Sequence, residues 1–259
     1  MSILLTVIGG GNMARAIIDG AIDGGILDSS AIAIADPDQT SRIYFENQGC
    51  QTFESADALP HAPCVLLAVK PQVFESIAES VRGDVVYSIM AGVPTSKITT
   101  ATGHTKVVRI MPNLPCSIGY GAAGVALGEE ATEKDARLAM ELFSQIGSVV
   151  EVPEDLIDAV TAVSGSGPAY VFLLAEAMTR GGIEAGLEPE IADKLVRQTV
   201  LGAAALLLSD ERSAGELREA VTSKGGTTAA ALDVMNQREV FDAIVEAVIA
   251  ARDRGRELA

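Results

Sequence analysis

The run Gly9-Gly10-Gly11-Asn12-Met13-Ala14 follows the apolar segment Ile3–Ile8 directly and opens a helical pattern over Asn12–Asp23. No other feature restricts the fold as much. A chain that leaves a strand and enters a helix through so few residues needs Gly9 for the tight turn and Ala14 for close helix–strand packing. Gly11 lets the backbone reach a pyrophosphate, and the helix N-terminus offers unpaired N–H groups to its negative charge. This G-x-G-x-x-A spacing, placed after the first strand of a βαβ pattern, predicts a dinucleotide site formed by Gly9, Gly10, Gly11, Asn12 and Met13.

Further short runs rich in Val, Ile and Leu follow at Ala31–Ala35, Cys64–Val69, Val85–Ile89, Lys106–Ile110, Gly124–Leu127 and Val149–Val152. They show little alternation, as strands buried on both faces of a parallel sheet do. Helical patterns such as Val73–Val81 lie between them. The class is therefore α/β, an N-terminal Rossmann-type doubly wound sheet. After Pro153 the strand signals stop, and alanine-rich amphipathic stretches run from Glu154–Val163 to Val240–Arg254. Ser213-Ala214-Gly215-Glu216 has capping-box spacing and should start one of these helices. The expected division is a dinucleotide-binding Rossmann domain at 1–152 and an all-helical substrate and dimerisation domain at 153–259. Aromatic content of 4% with no Trp suggests that the helical part buries surface against a partner chain.

Nineteen basic against 35 acidic residues give a net charge of −16. Nucleic acid and anionic membrane surfaces need clustered Lys and Arg, so neither is expected as a partner. Three scattered cysteines and two histidines make neither a disulfide frame nor a metal centre, and no metal is expected. The chain enters its first apolar strand without a basic leader, and a cytoplasmic location is expected.

Asp36 follows the second strand candidate, 22 residues beyond Ala14. An acid there accepts hydrogen bonds from ribose hydroxyls and repels a 2′-phosphate, so of NADPH and NADH it leans toward NADH. Arg42 partly offsets that lean, and Asp36-Pro37 is also a turn-starting pair. Ala68, Val69, Lys70 and Pro71 end the third strand candidate, and Met90, Ala91 and Gly92 end the fourth. Ligands of open α/β sheets sit beyond the carboxyl ends of strands, which places both segments toward the cofactor.

Near the C-terminus, Thr222-Ser223-Lys224-Gly225-Gly226-Thr227-Thr228 runs into a helical stretch. Paired glycines followed by paired hydroxyls form an anion cradle, in which Gly225, Gly226 and Thr227 present backbone N–H groups to a carboxylate. Helix capping by Thr227 or Thr228 is the plainer alternative. Ser164-Gly165-Ser166-Gly167-Pro168 interrupts a helical pattern with two glycines and a proline. That costs stability unless the backbone must bend, approach a ligand, or let two helices cross.

Taken together, the first loop, Ala68–Gln72, Met111-Pro112-Asn113-Leu114-Pro115, Ser164–Tyr170 and Ser223–Thr228 resemble pyrroline-5-carboxylate reductases, over about residues 3–254. The resemblance implies reduction of (S)-1-pyrroline-5-carboxylate to L-proline with NADPH or NADH. It also implies a homodimer interlocked through the helical domain, often assembled into larger rings such as decamers. In that family the active site combines the cofactor domain of one subunit with helical-domain residues of the dimer. Thr228 then corresponds to the threonine that hydrogen-bonds the imine nitrogen and is the expected catalytic residue. Glu211, matched by spacing, balances the iminium charge, although a solvated loop acid is an equal reading. Ser164, Gly165, Ser166 and Gly167 join Gly225, Gly226 and Thr227 as expected substrate contacts, and Ser55 and Asn113 join the cofactor set. The chain departs from the family pattern at Lys224 (usually proline), Leu114 (threonine), Met90 (a smaller residue) and Ser55 (asparagine).

Two rival functions fit these residues less well. A hydroxyacid dehydrogenase of similar layout needs a Lys or His at the start of its second domain, and none occurs from Val152 to Asp193. A dinucleotide-binding regulator or pyridoxal-phosphate carrier without turnover would show a damaged cradle, whereas this one is intact.

Overall fold

The computed structural model describes residues 2–258. Eight strands form one sheet: β1 (Leu5–Ile8), β2 (Ile32–Ala35), β3 (Gln51–Phe53), β4 (Ala62–Leu67), β5 (Gly83–Ser88), β6 (Val107–Met111), β7 (Gly121–Leu127) and β8 (Gly147–Glu151). Their order is β3-β2-β1-β4-β5-β6-β7-β8. Helices α1 (Asn12–Asp23), α2 (Gln39–Glu46), α3 (Pro71–Ile77), α4 (Thr95–Thr102) and α5 (Glu133–Ser144) alternate with the strands. The Rossmann-type expectation holds.

Two differences from the sequence reading have physical causes. The sheet is mixed, because β6 and β7 pair antiparallel while the remaining neighbours are parallel. Residues 112–120 join these two strands by a short 3₁₀ turn (Leu114–Ile118), too little chain for the crossover that a parallel pair requires. β3 escaped detection because Gln51-Thr52-Phe53 is a short, polar edge strand with no apolar run.

Alternate residues of each central strand feed two apolar clusters, as the two-residue period of a strand dictates. Leu5, Val7, Ile32, Ile34 and Leu66 pack with Ile17, Ile18 and Phe143 in one cluster. Ile8, Ala33, Val65, Leu67 and Val86 pack with Phe74 and Ile98 in the other. Registration of the parallel strands brings their ends into line: Ile8 lies beside Ala35 and Leu67, and Leu67 beside Ser88. The first glycine loop, Asp36, Ala68 and the segment after Ser88 therefore all leave from one edge.

Contacts group the residues up to Ser166 with those from Ala250 onward, and Gly167–Ile249 as a second unit. The first unit thus runs past residue 152. It includes a 3₁₀ turn at Glu154–Leu156, α6 (Ile157–Val160) and a π turn at Thr161–Gly165. The second is wholly helical, with α7 (Gly167–Glu184), α8 (Pro189–Ser209), α9 (Ala214–Ala220) and α10 (Thr227–Gln237). A last helix, α11 (Val240–Leu258), begins in the second unit, and its end belongs to the first. The capping box forms as expected: Ser213 N donates to Glu216 Oε2 at 2.8 Å, and Glu216 N to Ser213 Oγ at 3.3 Å.

Phe172, Leu173, Leu201, Leu208 and Phe241 are all more than half exposed. By length and composition the stretch Glu154–Glu184 could cross a membrane, and only 11% of its most apolar window is buried. Exposed apolar surface on this scale needs a cover, either lipid or a second protein surface.

Cys50, Cys64 and Cys116 are free and buried. Burial, reinforced by Asp19, pushes the Cys50 thiol up to about 11, and burial raises the other two thiols as well. A thiolate is the reactive form. All three should therefore resist an aromatic disulfide reagent at pH 8 until denaturant is added. Rapid labelling of the native protein would contradict this packing.

Candidate active site

Gly9 begins the site with a left-handed φ of +99°, and a Cβ placed there would lie 2.6 Å from the Ala68 carbonyl oxygen. Both the conformation and the space therefore require glycine. Gly9 N donates to Ala35 O, and Ala68 N to Ile8 O, so the loop is fixed to the strands on either side. Gly11 is the N-cap of α1, exposed and with open space where a side chain would project. The first turn of α1 carries no acidic residue and its cap makes no side-chain hydrogen bond. These features suit a pyrophosphate at the helix N-terminus. Asn12 is exposed and Met13 half-buried beside this end.

Asp36 lies at the same edge, half-buried. Its Oδ2 accepts from Gly10 N at 2.6 Å and its Oδ1 from Asp38 N at 2.8 Å. Arg42 turns inward: its Nη1 donates to the carbonyls of Asp36 (2.8 Å) and Pro37 (2.9 Å). Buried Ser41 adds a bond from its Oγ to Gly10 O at 2.8 Å, and nothing in the sequence pattern singles it out. Ser55 is exposed two residues after β3, where its Oγ caps a short 3₁₀ turn.

Ala68 and Val69 are half-buried at the end of β4, Lys70 is exposed, and Pro71 starts α3. Beyond β5, the Met90 side chain is buried in the second apolar cluster, so backbone is what this residue can offer a ligand. Ala91 is exposed, and Gly92 takes a φ of +70°.

The far end of that loop is fixed by a network the sequence reading missed. Glu154 accepts from Thr95 N at 2.7 Å and from Thr95 Oγ1 at 2.5 Å, capping α4. The buried Arg109 guanidinium lies 3.5 Å from Glu154 and 4.0 Å from Asp158. An arginine inside the apolar run Val107–Ile110 was the available signal, because a buried charge demands a partner.

Asn113, after β6, is 9% exposed. Its Oδ1 accepts from Ala122 N at 2.9 Å, and its Nδ2 donates to Ser164 O at 3.0 Å. Ser164 and Gly165 belong to the π turn, in which Ser166 N donates to Thr161 O. The expected interruption at Ser164–Pro168 is thus a widened turn that leads on into helix. Ser166 and Gly167 are half-buried just after it.

In the second unit, Gly226 N donates to Ser223 O at 3.0 Å and closes a tight turn. Gly225 is third in that turn with a φ of +72°, the left-handed value a type II turn needs. Lys224 is second, the position proline favours. Gly226 is the N-cap of α10, whose first turn has no acidic residue and whose cap makes no side-chain hydrogen bond. Thr227 is exposed and Thr228 half-buried in this first turn. Glu211 is exposed in the turn after α8. Beside it Arg212 binds both oxygens of Asp210, holding that carboxyl at about 2. Among the described residues no three His, Cys, Asp or Glu side chains gather to hold a metal.

Known proteins resemble the chain over its whole length. Residues 154–258 match the family described as pyrroline-5-carboxylate reductase dimerisation, and residues 4–92 match NADP oxidoreductase, coenzyme F420-dependent. The pyrroline-5-carboxylate reductase of Synechocystis is 40% identical, covering 100% of this chain and 99% of its own length. A solved pyrroline-5-carboxylate reductase from Coxiella burnetii is 37% identical with a TM-score of 0.91, covering 100% of this chain and 99% of the other. The Plasmodium falciparum pyrroline carboxylate reductase, solved with NADP bound, is 26% identical with a TM-score of 0.86, covering 99% of this chain and 98% of the other. With full-length identity of this order, the chain belongs to the pyrroline-5-carboxylate reductase family.

Proposed function

We propose that the chain reduces (S)-1-pyrroline-5-carboxylate to L-proline by hydride transfer from a nicotinamide dinucleotide. The observation that carries this reading is the coexistence of two helix N-termini with glycine at the N-cap and no first-turn acid, α1 behind Gly11 and α10 behind Gly226. One suits a dinucleotide pyrophosphate and the other a small carboxylate. The full-length likeness to reductases of this substrate supports it.

The dinucleotide, when bound, supplies the hydride that adds to the C=N carbon. The protein's own work is to hold and polarise the imino acid. Gly225, Gly226 and Thr227 offer backbone N–H groups to its carboxylate. Thr228 hydrogen-bonds the ring nitrogen, which takes a proton from solvent by way of this hydroxyl to become the iminium; hydride addition at carbon then turns the C=N π pair into the nitrogen lone pair. A neutral alcohol is a weak acid, so Thr228 acts as a polariser and not as the ultimate proton source. Glu211 balances the iminium charge, and Ser164–Gly167 completes the substrate contacts. The dinucleotide is held by Gly9–Met13, Asp36, Ser55, Ala68–Pro71, the Met90–Gly92 backbone and the Asn113 backbone.

NADH is the preferred reductant in this reading. The Asp36 carboxylate uses two of its acceptor sites on backbone N–H groups and keeps others for ribose hydroxyls, while its charge opposes a 2′-phosphate. Arg42 is engaged by carbonyl oxygens. The exposed apolar faces of α7, α8 and α11 are covered by a second copy, giving a cytoplasmic homodimer. Dimers assembling further, into a decamer for example, would be visible by light scattering.

Purified protein mixed with pyrroline-5-carboxylate and NADH should lose nicotinamide absorbance, and silence with both NADH and NADPH would sink the reading. Thr228→Ala should lower kcat/KM by about 10²-fold, the scale of one lost transition-state donor, with cofactor affinity unchanged. Full activity in that variant would remove Thr228 from its role. Asp36→Ser should move the NADPH-to-NADH ratio of kcat/KM upward by about tenfold or more, equivalent to about 1.4 kcal/mol. An unchanged ratio would show that Asp36 does not read the ribose.

A further inference from the structure

Asn113 is a heavily committed polar side chain at the carboxyl end of β6. It lies in the loop between β6 and β7, nine-tenths buried. The two ends of its amide face different elements: Oδ1 takes the Ala122 N–H of β7 at 2.9 Å, and Nδ2 gives a proton to the Ser164 carbonyl at 3.0 Å. Cys116 Sγ also approaches Oδ1, at 3.8 Å. Flipping the amide would set NH₂ against N–H and oxygen against oxygen, so the two bonds fix its orientation together.

The carbonyl it reaches is an unusual one. In an α-helix Ser164 O would accept from the residue four positions on, which is Pro168 and has no N–H to give. The chain instead widens into the π turn at Thr161–Gly165, a feature that tends to mark functional sites. Gly165 lies against the end of β6, where a Cβ would meet Met111 Cε at 3.1 Å. The π turn is thus seated on β6 by a close approach and tied there by one side-chain amide.

We propose that Asn113 is a positioning residue, whose amide holds the Ser164–Gly165 turn at the carboxyl end of β6 and the amino end of β7 so that the turn meets the imino acid correctly. This rests on the reading that Ser164–Gly167 contacts the substrate. Asn113 then acts on the imino acid through Ser164 and does not itself bind the dinucleotide with its side chain.

The test uses the full-length enzyme after its turnover of pyrroline-5-carboxylate has been measured, since an inactive wild type would refute the functional reading and not this role. Asn113→Asp keeps an acceptor for Ala122 N but loses the donor to Ser164, whereas Asn113→Ala loses both. The expected result for each variant is a KM for pyrroline-5-carboxylate raised about tenfold or more, consistent with a lost buried hydrogen bond. The dinucleotide Kd, followed by nicotinamide fluorescence, should change less than twofold. If Asn113→Ala does not fold, Asn113→Asp alone decides. A dinucleotide Kd that rises in step with KM would make Asn113 a cofactor ligand and overturn the proposal. Wild-type KM and kcat in Asn113→Asp would overturn it too.

Discussion

The alignment of strand ends at one edge of the sheet is the constraint on which the site depends. Ile8, Ala35 and Leu67 lie in register, so the backbone groups beyond them must find partners within a few ångströms of one another. They do: Gly9 N reaches Ala35 O, Ala68 N reaches Ile8 O, and Ile89 N reaches Leu67 O. Gly10 N is taken by the Asp36 carboxylate. Only glycine fits at position 9, because the Ala68 carbonyl occupies the space of a side chain. With its loops satisfied in this way, the edge turns the N-terminus of α1 outward.

Much of this was legible in the sequence, for a physical reason. Buried parallel strands are continuous Val/Ile/Leu runs, and a glycine-rich turn followed by a helix leaves little choice of local geometry. What escaped was non-local. The antiparallel β6–β7 pair follows from a connection too short for a crossover, and β3 carries no apolar run. In the second unit, the turn at Ser223–Gly226, the helix start behind it and the capping box could be read because turns and caps are local. The Arg109–Glu154–Thr95 network and the Asn113 tie could not, since each joins residues far apart in sequence. The interruption at Ser164–Pro168 was visible, but not that the helix would answer it with a π turn in place of a break.

The same division describes the chemistry. Reducing a carbon–nitrogen double bond needs no nucleophile and no metal-activated water, only a hydride donor, a held carboxylate and a polarised nitrogen. Glycines, backbone N–H groups and one threonine hydroxyl can meet those needs. This accounts for a candidate site with few charged side chains in a chain that carries 54 of them, 19 basic and 35 acidic.

The path of the hydride tests the central claim most directly. Pyrroline-5-carboxylate would be incubated with the enzyme and NADH dideuterated at the nicotinamide C4, and the product analysed by mass and NMR. L-Proline carrying one deuterium at C5, the former imine carbon, is the predicted result. Unlabelled proline, or deuterium at any other carbon, would contradict direct hydride addition to the imine.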